Sequence, residues 1–161
     1  MIKMTSIVLP PMLEKDKYLS LSASEKGEYA HNLLKEILKL NPEGLTVPQI
    51  DAAIYLEHTS IWHHLEILAS RADCLKIKRG NVEVYFPNKV IGSLKEFDME
   101  GEYYHYSFEL VENIYGKFVR LQTREKCESS SAVDSGVIMR SDIIGDIIKS
   151  LTKIKKQHLK K

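Results

Sequence analysis

Four side chains near the start of one short segment have the chemistry to contact nucleic acid. They are Thr59, Ser60, Trp62 and His63. Small hydroxyl groups at the beginning of a helix suit phosphate oxygens and base edges, and an imidazole can donate a hydrogen bond to either. Trp62 would also fit a dimer or domain interface, and the neighbouring His64 fits a position at the edge of the core. The pattern therefore predicts a DNA-contacting helix surface.

A cluster of basic and amide side chains follows at a predicted turn. Segments 75–79 and 82–86 alternate like strands around Arg79-Gly80-Asn81, which favours a hairpin turn. The side chains of interest here are Lys76, Lys78, Arg79 and Asn81. Such a tip would contact backbone phosphates or reach into the minor groove. A merely solvated hairpin tip is the alternative.

Helical patterns precede this hairpin and would position it. The first predicted helix begins at Ser22 or Ser24, either of which can cap it, and runs to about Leu40. Its apolar stripe comprises Ala30, Leu33, Leu34, Ile37, Leu38 and Leu40. Segment 41–44, Asn-Pro-Glu-Gly, then ends the helix.

Two shorter helices are predicted between that stop and the hairpin. Thr46 and Gln49 form a capping box, with Pro48 in the first turn, for a helix over residues 47–55. A turn at 56–58 leads to a third helix over residues 59–70. Its core face holds Ile61, Leu65 and Leu68, which repeat at helical spacing.

The segment 45–86 resembles the ArsR class of winged-helix repressors, mainly in Ile61-Trp62-His63-His64-Leu65-Glu66-Ile67-Leu68. In that family a comparable stretch is the recognition helix, and 82–86 resembles the second strand of the wing. The resemblance implies a winged helix-turn-helix domain over residues 22–90 that binds DNA. Metal-sensing members carry paired thiolates on the preceding helix, where this chain has no cysteine. No metal site is therefore predicted.

The second half of the chain changes to the period of a β-strand. Tyr104, Tyr106, Phe108 and Leu110 alternate with polar residues, as in a half-buried strand. A second strand over residues 117–124 places Phe118, Arg120, Gln122 and Arg124 on one face. We predict possible single-stranded DNA contacts at Lys117, Phe118, Arg120 and Arg124, by stacking bases and holding phosphates. A solvated sheet face is the alternative.

An apolar stripe marks a final helix, which Ser141 or Asp142 would cap. The apolar stripe is broader than the helix would need in order to pack on a small hairpin of its own chain. This excess of apolar surface predicts dimerisation through the helix. The residues assigned to dimerisation are Ile144, Ile147, Ile148 and Leu151.

The same half is similar to the single-stranded-DNA-binding domain of the eukaryotic positive transcriptional coactivator. The likeness lies in YGKFVRLQTRE and GVIMRSDIIGDIIKSL, at Gly116, Lys117, Arg124, Glu125 and Gly136. It implies a curved sheet that binds single strands and a helix that dimerises.

Composition limits the other classes of function. The 161 residues are 43% hydrophobic and 28% charged, with a net charge of +1, which is ordinary for a globular protein. The two cysteines lack metal or redox spacing, and no segment resembles a signal peptide or a membrane span. No phosphate-binding glycine loop or activated nucleophile is recognisable. We expect a soluble cytoplasmic protein that is not an enzyme and has no cofactor.

Together the patterns predict an α+β chain: a winged helix-turn-helix domain followed by a small β-sheet plus C-terminal helix domain. The expected divisions are an N-terminal arm (1–21), the winged domain (22–90), a linker (91–103) and the small domain with its dimerising helix (104–161). The leading functional hypothesis is a homodimeric transcriptional regulator that reads duplex DNA. Single-stranded DNA binding through the C-terminal sheet, and a protein-interaction module within a larger assembly, are the alternatives.

Overall fold

The structure, a computed structural model, describes residues 6–93, 98–126 and 133–159. Within these ranges the chain is mixed α+β: helices and a hairpin come first, an antiparallel sheet follows, and a helix ends the chain. This architecture confirms the α+β part of the predicted fold class. We call residues 6–87 the N-terminal part and residues 88–159 the C-terminal part.

Two capping boxes set the helices of the N-terminal part. The helices are α1 (Lys15–Ser20), α2 (Ala23–Leu40), α3 (Val47–Asp51) and α4 (His58–Ser70). The Ser22 hydroxyl accepts from the Glu25 N–H, and the Glu25 carboxylate accepts from the Ser22 N–H. Thr46 and Gln49 repeat the arrangement at α3. The box at Thr46 was predicted from the sequence and is confirmed, and Ser22 is the cap among the two serines predicted for the first helix.

Three details of the helices differ from the prediction. α1 lies inside the segment expected to be an irregular arm, where Tyr18 packs against the rings of Tyr29 and Tyr55. α3 ends at Asp51 rather than at residue 55, because the Ala53 N–H bonds to the Ile50 carbonyl in a tighter turn. Leu40 was placed in the core stripe but is 43% exposed, since α2 ends there.

The hydrophobic core of the N-terminal part lies between α2, α3 and α4. Its most deeply buried aliphatic side chains are Leu34, Ile37, Leu38, Ile50, Ile61, Leu65 and Leu68. The hairpin that follows consists of β1 (Cys74–Arg79) and β2 (Val82–Pro87). It closes the core with Tyr85, which also pairs through its backbone with Leu45. α4 is thereby held rigidly beside the hairpin.

The C-terminal part is built on an antiparallel sheet. Its strands are β3 (Lys89–Ser93), β4 (Met99–Glu100), β5 (Tyr104–Asn113), β6 (Gly116–Glu125) and β7 (Val133–Arg140). The order is β3-β5-β6-β7, and β4 pairs with β5. Residues 91–93 and 99–100 of the predicted linker are therefore strands of the sheet. Residues 94–97 of the linker and residues 127–132 lie outside the described residues.

The two faces of this sheet have different surroundings. One face packs on the N-terminal part, and we call it the joined face: Ser107, Glu109, Val111, Phe118, Arg120, Gln122, Arg124, Gly136 and Ile138. Alternation puts a second set on the opposite side, which we call the open face. The open face is formed by Tyr106, Phe108, Leu110, Val119, Leu121, Thr123, Ser135, Val137 and Met139.

The final helix follows the sheet directly. After a 3-10 turn (Ser141–Ile143), α5 (Ile144–His158) follows and buries none of its residues. The predicted cap at Ser141 or Asp142 is wrong, because both residues lie in the 3-10 turn and the Asp142 carboxylate accepts from Arg140 instead. In the part of the chain that the structure describes, no helix is both long and apolar enough to cross a membrane.

Candidate nucleic-acid interface

One side of α4 is open to solvent while the other anchors the helix. Ile61, Leu65 and Leu68 are buried in the core, as predicted. On the outer side Thr59 and His63 are exposed and Trp62 is 48% exposed. The predicted set is completed by Ser60, which is half-buried beside them. The structure therefore brings all four side chains onto one end of a single helix.

Histidines line the contact between α2 and α4 next to this surface. The ring of His64 lies 5.6 Å from that of His63 and 6.0 Å from that of His31, centre to centre. Burial lowers the pKa of both His31 and His64 below the ordinary value, and neighbouring positive groups lower it further. Both imidazoles are therefore neutral at pH 7, so His64 occupies the core-edge position considered for it.

Glu66 organises the side of α4 that faces the hairpin. Its carboxylate accepts from the Tyr85 hydroxyl at 2.6 Å and from the Lys76 ammonium at 2.8 Å. Burial raises the pKa of Glu66, but the hydrogen bonds from Lys76 and Tyr85 outweigh it, and the net shift is downward. Lys76 also pairs with Glu83 at 3.2 Å. The Lys76 ammonium, which was predicted to contact phosphate, is therefore neutralised by two carboxylates.

The hairpin tip presents a smaller positive surface than its composition suggests. Lys78 and Asn81 are exposed at the tip. Arg79 instead turns toward the sheet, where its guanidinium donates to the Tyr115 hydroxyl at 2.5 Å and lies 5.5 Å from the centre of the Phe86 ring. Arg79 nevertheless stays exposed and keeps its charge, so Lys78, Arg79 and Asn81 all lie at the surface of the tip.

The turn after α4 connects the candidate DNA-contacting helix to the sheet. Asp73 N–H bonds to the Leu68 carbonyl and Ala72 N–H to the Ala69 carbonyl, which is a Schellman motif. Ala72 takes the left-handed conformation, with φ of 59°, where glycine is usual. Nothing in the sequence marks this position, because the common signal, a glycine, is missing.

Side chains of the C-terminal part hold that turn in place. Gln122 donates to the Arg71 carbonyl at 2.7 Å, and Asn88 donates to the Ala72 carbonyl at 3.0 Å. Arg120 also reaches the Ala72 carbonyl, at 3.2 Å. These contacts were missed from the sequence, where the one available signal was the run of polar residues at alternate positions of β6.

Arg120 has a different role from the predicted contact with single-stranded DNA. Arg120 is only 5% exposed, and its guanidinium forms ion pairs with Asp73, at 3.3 Å, and with Glu109. Phe118 and Arg124 are half-buried on the same joined face, whereas Lys117 is exposed on the other side of the strand. The predicted set is therefore not assembled on a free surface, because the N-terminal part covers the face that carries most of it.

A metal centre is not formed by the described residues, which hold no group of three or more histidine, cysteine, aspartate or glutamate side chains placed around a common point. Cys74 is buried, and burial raises the pKa of its thiol to about 12, so it is no nucleophile at neutral pH. Comparison of the chain with models of protein families, with curated proteins and with solved structures finds no match.

Proposed function

We propose that this protein is a homodimeric transcriptional regulator whose N-terminal part is a winged helix-turn-helix domain. In this proposal α3 and α4 are the helix-turn-helix pair, and β1 with β2 is the wing. The observation that carries it is the outer side of α4, where Thr59, Trp62 and His63 stand exposed directly before a hairpin with an exposed Lys78. That is the arrangement a recognition helix needs to enter a major groove.

Each exposed side chain of α4 has a distinct task in the proposed complex. The Thr59 hydroxyl can hydrogen-bond a phosphate oxygen or a base edge, and the His63 imidazole can donate to an acceptor such as guanine N7. The ring of Trp62 offers apolar surface to a thymine methyl group or a sugar. Reading by these uncharged groups favours sequence preference over general electrostatic attraction.

The electrostatic part of the proposed binding is small. Lys76 is paired with Glu66 and Glu83, whereas Lys78 and Arg79 are exposed cations of the wing that can reach a phosphate. Each phosphate contact adds about −0.9 to the slope of log affinity against log salt. We therefore expect a shallow salt dependence, with Lys78→Ala making it shallower and the exposed Lys15→Ala leaving it unchanged.

Selection of duplexes from a random pool, followed by a mobility-shift assay, tests the proposal. Trp62→Ala and His63→Ala should each weaken binding of the selected duplex by about tenfold, since one good base contact is worth 1–3 kcal/mol. His105→Ala, which lies on the sheet, serves as the matched control and should bind normally. Equal binding by all these variants, or no enrichment of any duplex, contradicts the proposal.

The C-terminal helix supplies the homodimer in this proposal. Ile144 and Ile147 are half-buried, while Ile148 and Leu151 are 58% and 60% exposed. Apolar side chains left in water along one helix need a partner. A dimer would place two copies of α4 at a fixed separation, as paired half-sites require.

A protein-interaction module is the second candidate, and a specific observation favours it. Residues 45–90 carry five basic and five acidic side chains, and a tryptophan at the exposed centre of α4 is also typical of a protein contact. A partner that binds this surface at high salt, together with no affinity for any duplex, would support it. Single-stranded DNA binding through Arg120 gains no support, because that side chain is enclosed in ion pairs.

A further inference from the structure

We infer that in the homodimer the open face of each sheet is covered by α5 of the second copy, so that the two copies exchange their C-terminal helices. This inference rests on the homodimer of the proposed function and deepens it, since it names the two surfaces that meet. It does not depend on DNA binding by α4.

The three central cross-strand rows of the open face carry no charged side chain, and the pair Glu112–Lys117 follows them where β5 ends and β6 begins. The register of β5, β6 and β7 aligns Tyr106–Thr123–Ser135, then Phe108–Leu121–Val137, then Leu110–Val119–Met139. Val137 at the centre of β7 is 57% exposed, and Leu110 is 36% exposed. With no cation in its three rows, this face suits an apolar partner better than a nucleic-acid backbone.

The helix α5 carries the surface that would cover it. Ile144, Ile147, Leu151 and Ile154 recur at alternating spacings of three and four, which places them along one side. The cations Lys149, Lys153 and Lys156 project from the opposite side and would remain in water. A helix of 15 residues is marginal in water by itself, so its stability requires packing of that apolar side.

The dimensions of the two surfaces agree. A 15-residue helix is about 22 Å long at 1.5 Å per residue. The strands β5 and β6, with 10 residues each, extend about 33 Å. The three rows take up five residues of each strand, about 14 Å, so the helix is long enough to lie across all of them.

A second copy is the occupant because one chain provides both halves of the contact. Each copy has one exposed apolar helix side and one exposed apolar sheet face. A two-fold axis would place the helix of each copy on the sheet of the other, which closes the dimer. The exchange makes two equal helix-on-sheet contacts, as two-fold symmetry requires. A different partner would leave one of the two surfaces in water.

Sedimentation equilibrium of the full chain without DNA tests the exchange. The wild type should be a dimer, while Leu151→Glu on the helix and Val137→Glu on the sheet should each raise the dimer Kd at least a hundredfold. Both residues are exposed within one copy, so circular dichroism and thermal unfolding should show a folded monomer. Lys153→Glu puts the same carboxylate on the opposite side of α5 and should remain a dimer.

A mixture of the two defective variants distinguishes exchange from other arrangements. In a mixed dimer the intact helix of the Val137→Glu copy meets the intact sheet of the Leu151→Glu copy, so one good contact returns and dimer should reappear. A dimer made by helix–helix contact alone would not recover on mixing. Absence of recovery, or a monomeric wild type, overturns the inference.

The DNA-binding proposal fails or succeeds separately. If α4 does not bind a duplex, the sedimentation result still stands, because it is measured on the protein alone. If the exchange is wrong while α4 binds DNA, Val137→Glu on the sheet will leave the affinity for a full two-half-site duplex unchanged.

Discussion

The two faces of the C-terminal sheet show opposite relations between polarity and burial. On the joined face, Arg120 and Gln122 are almost fully buried and bonded to the turn after α4. On the open face, Leu110 and Val137 lie in contact with water. Polar side chains are thus buried beside Val111 on one face while apolar side chains are exposed on the other, which departs from the usual arrangement of a two-layer domain.

This reversal is physically reasonable when each face is assigned its own partner. The joined face meets the end of a helix, whose carbonyl groups need hydrogen-bond donors. Arg120, Gln122 and Asn88 supply those donors to the carbonyl oxygens of Arg71 and Ala72. The open face needs an apolar partner, which a second copy provides in the proposed dimer. Burial of a polar face is therefore a sign of a specific contact between the two parts.

Removing Arg120 should have the largest effect on the joined face. Arg120→Met leaves Glu109 with an uncompensated buried charge and Asp73 with Lys35 as its one remaining cation, for which we expect a loss of about 3–5 kcal/mol in the free energy of unfolding. Urea unfolding of the purified variant measures it. Arg140→Met is the matched control: Arg140 pairs with Asp142 in water, and its loss should cost less than about 1 kcal/mol. Similar losses for both would mean that the joined face is not a buried contact.

A methyl group at Gly136 should separate the sheet from the turn. An added Cβ would lie 2.1 Å from the Arg71 carbonyl oxygen, so Gly136→Ala must move β7 or the turn, at a cost of about 1–3 kcal/mol. Gly145→Ala is the control, since space around that helical glycine is open and alanine should stabilise α5 by up to about 1 kcal/mol. Thermal unfolding should therefore move in opposite directions, and a lowered Tm for both variants would contradict the assignment of the joined face.

Sequence patterns predicted the elements better than their surroundings. The caps at Ser22 and Thr46 were correct because a capping box depends on residues only three positions apart. The hairpin at Gly80 was correct for the same local reason. Alternation along β5 and β6 predicted which side chains share a face of the sheet, but it could not predict which of the two faces packs on the N-terminal part. That choice depends on Arg71–Asp73, more than thirty residues away along the chain.

In the candidate interface, too, local patterns located the exposed side chains correctly, but contacts with distant elements could not be predicted. Thr59, Trp62 and His63 were located from helical spacing against Ile61 and Leu65, and the structure exposes them. The availability of Lys76 and Arg79 could not be predicted, because their partners Glu66 and Tyr115 come from other elements. Charge counting along a sequence cannot show which cations are already paired in the fold.

Adjacent positions of β6 allow a comparison of the two faces within one strand. Gln122→Leu removes the hydrogen bond to the Arg71 carbonyl from a buried site, and we expect it to cost about 1–3 kcal/mol in the free energy of unfolding. Leu121→Gln, on the open face, should change the unfolding of the monomer less and should mainly weaken the dimer. Urea unfolding at a concentration where the chain is monomeric, together with sedimentation, measures the two effects. A dimer weakened equally by both variants would show that the faces are not distinct.

The smallest expected effect is a dependence of unfolding on pH that originates beside the joined face. Burial lowers the pKa of both His31 and His64. At His31, Arg71 and Lys35 lower the pKa further while Asp73 opposes them. At His64, His63 adds to the effect of burial. The unfolded chain then binds more protons than the folded chain, so the free energy of unfolding is highest above pH 7 and falls as pH falls through about 6.5 toward the folded pKa. Urea unfolding between pH 7.5 and 5.5 should show this fall, and His31→Gln with His64→Gln should flatten it. Val137→Ser should keep the wild-type slope, because the rows of the open face contain no group that titrates in this interval. An unchanged slope in the histidine variants would place the pH-sensitive groups elsewhere in the molecule.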